Sequence, residues 1–265
     1  MKAPSKILGR LLAVLADDEH QRKELEMLMR TDSSLSANVL KVANSAQFRG
    51  GNVVDIGAAM TRLGENEISR IAIRASAACM KVESVDGYGM HGGGLWANGM
   101  YSAVAAELLS KRCKKVDGGV AYTAGLLVDV GKRVLGPELE NYMDEAFAAN
   151  PGHSFVDVEL ALLGCSHADI GAALAAKWGL PESLQNAIRW HHQPLQADAD
   201  QPLVWVCHVA DFLAMNLGGG GSAEGLAYKL EDGWREYIDI SKQELVSLLP
   251  EVQSIASEVL DEIAA

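Results

Sequence analysis

The chain has 265 residues, of which 49% are hydrophobic, and its formal net charge is −12. This length predicts one large domain or two small ones with a substantial core. Because an acidic surface repels phosphate backbones and anionic lipid, the charge argues against general binding to nucleic acid or to membranes. We therefore expect no nucleic-acid partner and no membrane partner.

The apolar residues follow a helical period along nearly the whole chain, starting close to the N-terminus. Residues three and four apart lie on one face of a helix, so each group of apolar residues at that spacing predicts an amphipathic helix. The groups, in chain order, are Ile7, Leu8, Leu11, Leu12 and Leu15; Leu25, Leu28 and Met29; Leu35, Val39, Leu40 and Val42; Ile68, Ile71, Ala72 and Ala75; and Val104, Leu108 and Leu109.

Start and stop signals agree with this helical pattern. Three serines are each followed three residues later by an acid, the spacing of a capping box: Ser154 and Asp157, Ser166 and Asp169, Ser241 and Glu244. Prolines that suit the first position of a helix are Pro181, Pro202 and Pro250. Glycines at predicted helix ends are Gly64, Gly164 and Gly179. With no alternating strand pattern, the sequence predicts an all-α fold.

Two glycine-rich segments divide the chain. Residues 86–94 contain five glycines. Residues 218–221 are four consecutive glycines, and this second segment suggests a flexible hinge or a disordered link. We therefore predict an N-terminal helical part over 1–90, a central helical part over 91–217, and a hinge with C-terminal helices over 218–265. Residues 87–92 also match GxGxxG, but no strand precedes them, so we predict a flexible loop and no dinucleotide site.

Cysteine usage and hydropathy indicate the compartment. The four cysteines are far apart and form no CxxC pair, which predicts reduced, buried thiols: Cys79, Cys113, Cys165 and Cys207. No apolar run reaches the ~18 residues that a transmembrane helix needs. The N-terminal residues do not resemble a signal peptide. We therefore expect a cytoplasmic protein.

Several titratable side chains lie at helix ends or inside apolar helices: Asp129, His167, His191, His192 and Asp211. A buried acid is costly unless it is paired or bound to metal. Imidazole and carboxylate ligands together suit Zn, Fe, Mn or Ni, whereas a set rich in carboxylates suits Mg or Mn. We also expect His208 to share a helix face with Asp211.

Each of these residues also has a structural explanation. His167, His191 and His192 are compatible with ordinary positions at helix ends. For His191 and His192, which end a helix, the helix dipole favours a protonated imidazole. Asp211 can pair with an arginine or a histidine. Asp129 can cap the helix that follows it. Composition and spacing leave these alternatives open.

A family resemblance adds to this pattern. The run Leu-Leu-Val-Asp-Val-Gly-Lys at 126–132 resembles the LLHDIGK signature of the HD superfamily of metal-dependent phosphohydrolases. More specifically, residues from about 4 to 194 resemble the HDOD domain, a divergent and mostly non-catalytic relative. The stretches that carry this resemblance are 40–48, 54–64, 95–98, 164–181 and 188–192. The resemblance implies an HD-like helical bundle after an N-terminal helical subdomain.

The resemblance also implies which positions would form an active HD site. The first histidine of that site corresponds to Asn98, and the His-Asp doublet corresponds to Val128 and Asp129. The later positions correspond to His167, to His192 (with His191 as a possible register) and to Asp211. Two imidazole ligands are therefore replaced, one by an amide and one by an alkyl group. A metal that activates water needs those ligands, so we expect a degenerate site without catalytic or metal-binding residues.

The function implied by the resemblance is a non-catalytic bacterial signal-transduction module. It would act by binding one or more signalling proteins or a small ligand, with no cofactor, although some residual binding of a divalent metal is compatible with the remaining acids and histidines. The N-terminal helices and the glycine-rich loops are candidate interaction surfaces. The alternative is a phosphohydrolase with an atypical ligand set that acts on a nucleotide or a cyclic dinucleotide.

Overall fold

The structure is a computed structural model that describes residues 14, 22–30, 39–40, 42–44, 53–64, 67–68, 70–71, 84–90, 93–113, 115–142, 153–178, 180–217 and 229–264. Over these residues the chain is helical and forms no β-sheet, apart from an isolated antiparallel bridge between Val85 and Met90. The predicted all-α class is confirmed. The first predicted helix, around residues 7–15, lies outside the described residues except for Val14, which is helical.

The helices with described bounds are α1 (Arg22–Arg30), α2 (Ile56–Leu63), α3 (Gly94–Ser110), α4 (Gly118–Leu127), α5 (Lys132–Leu139), α6 (Phe155–Leu163), α7 (His167–Lys177), α8 (Glu182–Trp190), α9 (Gln201–Asn216) and α10 (Lys242–Ala264). Short 3₁₀ turns cover Asp86–Tyr88, Pro194–Gln196 and Asp232–Glu236. Taken singly, no helix in the described part of the chain has both the length and the apolar character required to cross a bilayer.

The chain falls into two compact units. One comprises residues 1–79 with 178–180, and the other comprises residues 80–177 and 181–265. In the first unit α1 packs against α2, and the Asn44 side chain makes two hydrogen bonds with the backbone of Val53, at 2.8 and 2.7 Å. The predicted boundaries at residues 90 and 217 stay predictions.

Helix α3 lies at the centre of the second unit, where it contacts α4, α9 and α10. Its close packing against α4 depends on Gly125, because a Cβ atom there would lie 2.5 Å from the carbonyl oxygen of Ser102. Apolar side chains of α9 are almost wholly buried beside it. Helix α4 is thereby held in one core with α3 and α9.

Residues 229–264 pack on the rest of the second unit. The Tyr237 ring stacks on Trp205, with ring centroids 6.0 Å apart, and the Glu231 backbone N–H donates to Nε2 of His208 at 3.0 Å. Helix α10 contacts α3 directly. The predicted hinge at 218–221 lies outside the described residues.

Local start signals are confirmed where they depend on a few consecutive residues. The three serine–acid pairs of the predicted capping boxes exchange backbone and side-chain hydrogen bonds at the starts of α6, α7 and α10. Gly64 and Gly164 end α2 and α6, whereas Gly179 lies outside the described residues. Pro202 lies at the start of α9, and Pro181 caps α8 one position before its first residue.

Two expectations from the sequence are wrong. Pro250 lies inside α10 instead of starting a helix. Proline removes one backbone donor, and the carbonyl that loses its partner belongs to Val246, an exposed residue (61%). The segment around residues 87–90 is packed and not a flexible loop, since Tyr88 is 1% exposed within a core cluster with Leu139 and Phe155. Residues 91 and 92 of that motif lie outside the described residues.

The described cysteines predict a labelling order. Cys113, Cys165 and Cys207 are all free thiols, and only Cys165 is partly exposed. Burial, together with nearby Asp211, raises the pKa of the Cys207 thiol, which suppresses the reactive thiolate. In native protein treated with iodoacetamide, peptide mass spectrometry should find Cys165 modified well before Cys207. Equal rates in native protein would contradict the described burial, and unfolding in urea should abolish the difference between the two.

Candidate functional site

Three chain segments of the second unit meet at Asp129. Helix α4 ends at Leu127, and Asp129 lies in the turn before α5. His167 is the first residue of α7, and His191 and His192 directly follow the end of α8. Helices α7 and α8 pack on each other. In addition, α7 contacts α5 and α8 contacts α4, so the side chains at these helix ends converge.

The Asp129 carboxylate is 2% exposed and is held on several sides. Its Oδ2 accepts from the Asn98 amide at 2.7 Å, and the Lys132 ammonium lies 3.1 Å from both Oδ1 and Oδ2. His167 Nε2 lies 3.3 Å from Oδ1. Burial alone would raise the pKa of Asp129, but Lys132 and His167 outweigh it and hold the pKa well below its usual range. Asp129 is therefore ionised, and it does not cap α5, whose first turn has no side-chain cap.

His167 is fully buried and oriented by Glu159. Its Nδ1 lies 2.7 and 2.9 Å from the two Glu159 oxygens, and its backbone N–H donates to Oε2 at 2.7 Å. The Tyr88 hydroxyl donates to Glu159 Oε1 at 2.6 Å. Burial lowers the pKa of His167, but the Glu159 carboxylate and the hydrogen bond with Asp129 raise it to about 9. Without a metal, this ring is an imidazolium between two carboxylates.

His191 and His192 complete the cluster as neutral rings. Since a carbonyl only accepts, His191 donates its Nδ1–H to the Ile188 carbonyl at 2.7 Å, and its Nε2 lies 4.0 Å from Asp129 Oδ1. His192 Nε2 lies 3.0 Å from His167 Nε2. Burial, aided by the positive charge on His167, lowers the pKa of His191 to about 3. Burial and the neighbouring rings also lower the pKa of His192 well below its ordinary value.

These residues form a cluster that could hold one metal ion. One donor atom from each of Asp129, His167, His191 and His192 lies within 4.8 Å of every other. Two of the rings direct their other nitrogen to an oxygen acceptor, as ligating histidines commonly do. One carboxylate and three imidazoles are a donor set that suits Zn, Fe or Ni. We refer to these four residues as the His₃Asp cluster.

The other predicted site residues lie beside this cluster or outside it. Asn98 is hydrogen-bonded to Asp129, and Val128 is fully buried in the core. Asp211 is 1% exposed and lies 3.5 Å from the Ser102 hydroxyl, outside the four-residue group. His208 donates its Nδ1–H to the His191 carbonyl at 2.7 Å.

The sequence interpretation missed three residues that hold the site together. Glu159 is fully buried in the apolar helix α6, and an acid in an apolar helix is the signal that singled out Asp211. Lys132 belongs to the 126–132 run, but its ion pair was not anticipated. Tyr88 is 71 residues from Glu159, so no local pattern could have connected the two.

Comparisons with known proteins identify relatives of this chain. A family model for the HDOD domain matches residues 1–194. An uncharacterised Treponema pallidum (strain Nichols) protein is 27% identical over 223 residues, which cover 82% of this chain and 42% of that protein. This chain therefore spans about two fifths of the length of the curated relative that it matches.

Solved structures share the fold. A candidate signal transduction protein from Marinobacter aquaeolei VT8 is 19% identical and has a TM-score of 0.77, over 98% of this chain and 58% of its own. An HDOD domain protein with unknown function from Geobacter sulfurreducens is 24% identical with a TM-score of 0.71, over 96% and 91% of the two chains. A candidate phosphohydrolase from Shewanella amazonensis SB2B is 23% identical with a TM-score of 0.64, over 98% and 88%.

Proposed function

The chain belongs to the HDOD domain family, and from this premise we propose that it is a non-catalytic signal-transduction module that acts by binding a partner protein. The match confirms the family predicted from the sequence.

The observation that carries the proposal is how Asp129 is bound. Where an active HD site would place an imidazole lone pair, Asn98 directs an amide N–H at the carboxylate, at 2.7 Å. The Lys132 ammonium contacts both carboxylate oxygens at 3.1 Å and is itself 1% exposed. The lysine belongs to the LLHDIGK signature itself, so the feature that separates this site from an active one is the amide in place of an imidazole. A water-activating metal at Asp129 would lack that imidazole and would have to displace the Asn98 amide.

Val128 and the burial of the site support the same conclusion. The Val128 side chain lies in the core at 0% exposure and has no lone pair with which to bind a metal. His167 and His191 are likewise fully buried. A phosphate ester needs an approach to the attacking water, and these rings provide no exposed edge for one.

Exposed leucines at the end of α6 support binding to a protein. Leu160, Leu162 and Leu163, at the end of α6, are 42%, 45% and 37% exposed. Neighbouring exposed leucines of this kind mark surfaces that bind other proteins more often than isolated ones do. We place the partner on this end of α6 because these three side chains are large, apolar and exposed.

One observation favours the alternative of a phosphohydrolase for a nucleotide or a cyclic dinucleotide. A narrow pocket reaches Asp129 and is lined by Leu95, Trp96, Gly99, Leu126, Asp129, Val130 and Arg133. Its lining places the arginine Arg133 in the same pocket as Asp129. The arginine in its lining would suit a phosphate group.

A phosphodiesterase and nucleotidase screen separates the two functions. The full chain, supplied in turn with Mn²⁺, Mg²⁺, Fe²⁺ and Zn²⁺, should show no turnover above that of Asp129→Ala. Turnover that Asp129→Ala abolishes would overturn the proposal.

The converse test restores the lost ligands. We expect the double change Asn98→His with Val128→His to raise Mn²⁺ affinity about 10-fold or more, measured by calorimetry. Asn98→His alone is the matched control. If the double variant folds and its affinity is unchanged, these positions do not correspond to the HD ligands.

A further inference from the structure

We infer that His208 couples the C-terminal segment 229–240 to the end of α8, so that docking of this segment on the second unit fixes the position of His191. We refer to residues 229–240 as the strap. The coupling is a regulatory contact outside the His₃Asp cluster, and it holds whether or not the module is catalytic. It gives a partner that displaces the strap a route to the interior of the second unit.

The His208 ring is bound on two sides by backbone groups of different segments. It lies on α9, and the residue is 1% exposed. Its Nδ1–H donates to the His191 carbonyl at 2.7 Å, and its Nε2 accepts from the Glu231 N–H at 3.0 Å. A neutral imidazole has one donor and one acceptor, so each contact uses one ring nitrogen. Burial lowers the pKa of His208 to about 4, which keeps the ring neutral at pH 7.

A chain of hydrogen bonds leads from the strap towards Asp129. The Glu231 N–H binds the His208 ring, and that ring binds the His191 carbonyl. The His191 ring donates in turn to the Ile188 carbonyl at 2.7 Å, and its Nε2 lies 4.0 Å from Asp129 Oδ1. A displacement of the strap at residue 231 therefore reaches His191 through one imidazole ring.

Apolar side chains dock the strap beside this hydrogen bond. Trp234 is 1% exposed and Ile238 is 0% exposed. The Tyr237 ring stacks on Trp205 with the ring planes 15° apart. Trp205 also meets the His208 ring edge to face, with centroids 5.6 Å apart. The strap thus packs on the same face of α9 that carries His208, and its docking brings the Glu231 N–H to the ring.

Release of the strap would take the Glu231 N–H away from His208. Because a buried polar group is costly when it loses a hydrogen bond, the ring would rotate or change its tautomer. Either change withdraws the Nδ1–H from the His191 carbonyl and loosens the end of α8. Coupling between two sites is reciprocal, so a ligand that holds His191 in place should also hold the strap.

One substitution removes the coupling hydrogen bond alone. Glu231→Pro deletes the N–H donor, and the φ of −62° at this residue is one that proline adopts. Glu231→Ala is the matched control, because it keeps the N–H and removes only the exposed side chain. Hydrogen–deuterium exchange of the full chain, read by peptide mass spectrometry, measures the result. In Glu231→Pro the amides of the strap and of residues 186–193 should exchange about 5-fold or more faster, whereas Glu231→Ala should keep the rates of the unmodified chain.

A second set of variants tests whether the His208 ring carries the coupling. His208→Phe should speed exchange in both segments, and adding Glu231→Pro to it should produce no further increase at residues 186–193. His208→Asn, which lacks an acceptor at the position of Nε2, takes its place if the phenylalanine variant does not fold.

Each contrary result overturns a particular step. The inference fails if Glu231→Pro leaves residues 186–193 at the rate of the unmodified chain, or if Glu231→Ala matches Glu231→Pro. It also fails if Glu231→Pro has the same effect on residues 186–193 with and without the His208 ring, since the packing of α9 would then carry the coupling. Phosphodiesterase turnover that Asp129→Ala abolishes would refute the proposed function and leave the coupling standing, so the two can fail separately.

Discussion

Replacing Asp129 by asparagine should lower the free energy of unfolding of the metal-free chain by about 3–5 kcal/mol. The reason is Lys132, which is 1% exposed and loses the carboxylate that lies 3.1 Å from its ammonium group. A buried charge deprived of its partner retains its full desolvation cost. Urea unfolding followed by circular dichroism at pH 7, with a chelator present, measures the effect.

A double-mutant cycle separates this ion pair from other effects. Lys132→Met alone should also destabilise the protein, and the double variant should be more stable than the sum of the two single losses predicts, by about 0.5–3 kcal/mol. The matched control is Glu67→Gln, because Glu67 and Arg70 form a partly exposed pair at the same i,i+3 spacing, 3.5 Å apart. That change should cost less than about 1 kcal/mol.

A small effect of Asp129→Asn would show that Lys132 does not depend on this carboxylate. If Asp129→Asn costs no more than Glu67→Gln, then the ammonium finds another stabilising environment when the carboxylate is removed. The cation also lies 5.5 Å from the Tyr88 ring and 5.9 Å from the Phe155 ring, and these contacts alone are weak compared with a buried ion pair.

The elements predictable from the sequence are those fixed by short segments. A capping box depends on four consecutive residues, so the one at Ser154 and Asp157 follows from sequence spacing and appears in the structure. Pro250 shows the limit of such rules. A proline is disfavoured inside a helix, but the apolar contacts of Leu245, Val252 and Ala256 with the core carry α10 through it.

The site was only partly predictable because its contacts join distant segments. Asp129, His167 and the two adjacent histidines were identified as candidates, but spacing could not show that both His191 and His192 face the same carboxylate. Asp211 looked equivalent to them, yet the packing of α9 places it near Ser102 and outside the cluster. The buried pairing of Glu159 with Tyr88 depends on tertiary packing that no periodicity encodes.

The close packing of α5 on α7 makes Gly131 the most sensitive small residue of the site. Its φ is −67°, a value that alanine adopts readily, so backbone strain is no obstacle to substitution. The obstacle is steric, because a Cβ atom there would lie 1.9 Å from the carbonyl oxygen of His167 and 2.8 Å from the amide nitrogen of Gly171. Both are backbone atoms of α7 and cannot rotate away.

Gly131→Ala should therefore lower the free energy of unfolding by about 3 kcal/mol or more, since α7 must move away from the turn that carries Asp129. That movement would also separate His167 from Asp129. The control is Gly118→Ala at the start of α4, where the nearest atoms to a new Cβ are 3.5 Å away. It should stabilise the chain by about 0.4–1 kcal/mol, because alanine restricts the unfolded state. Chemical unfolding of both variants measures the two free energies of unfolding. If they are similar, α7 moves away from the new Cβ atom at little cost, and the turn does not fix the position of His167.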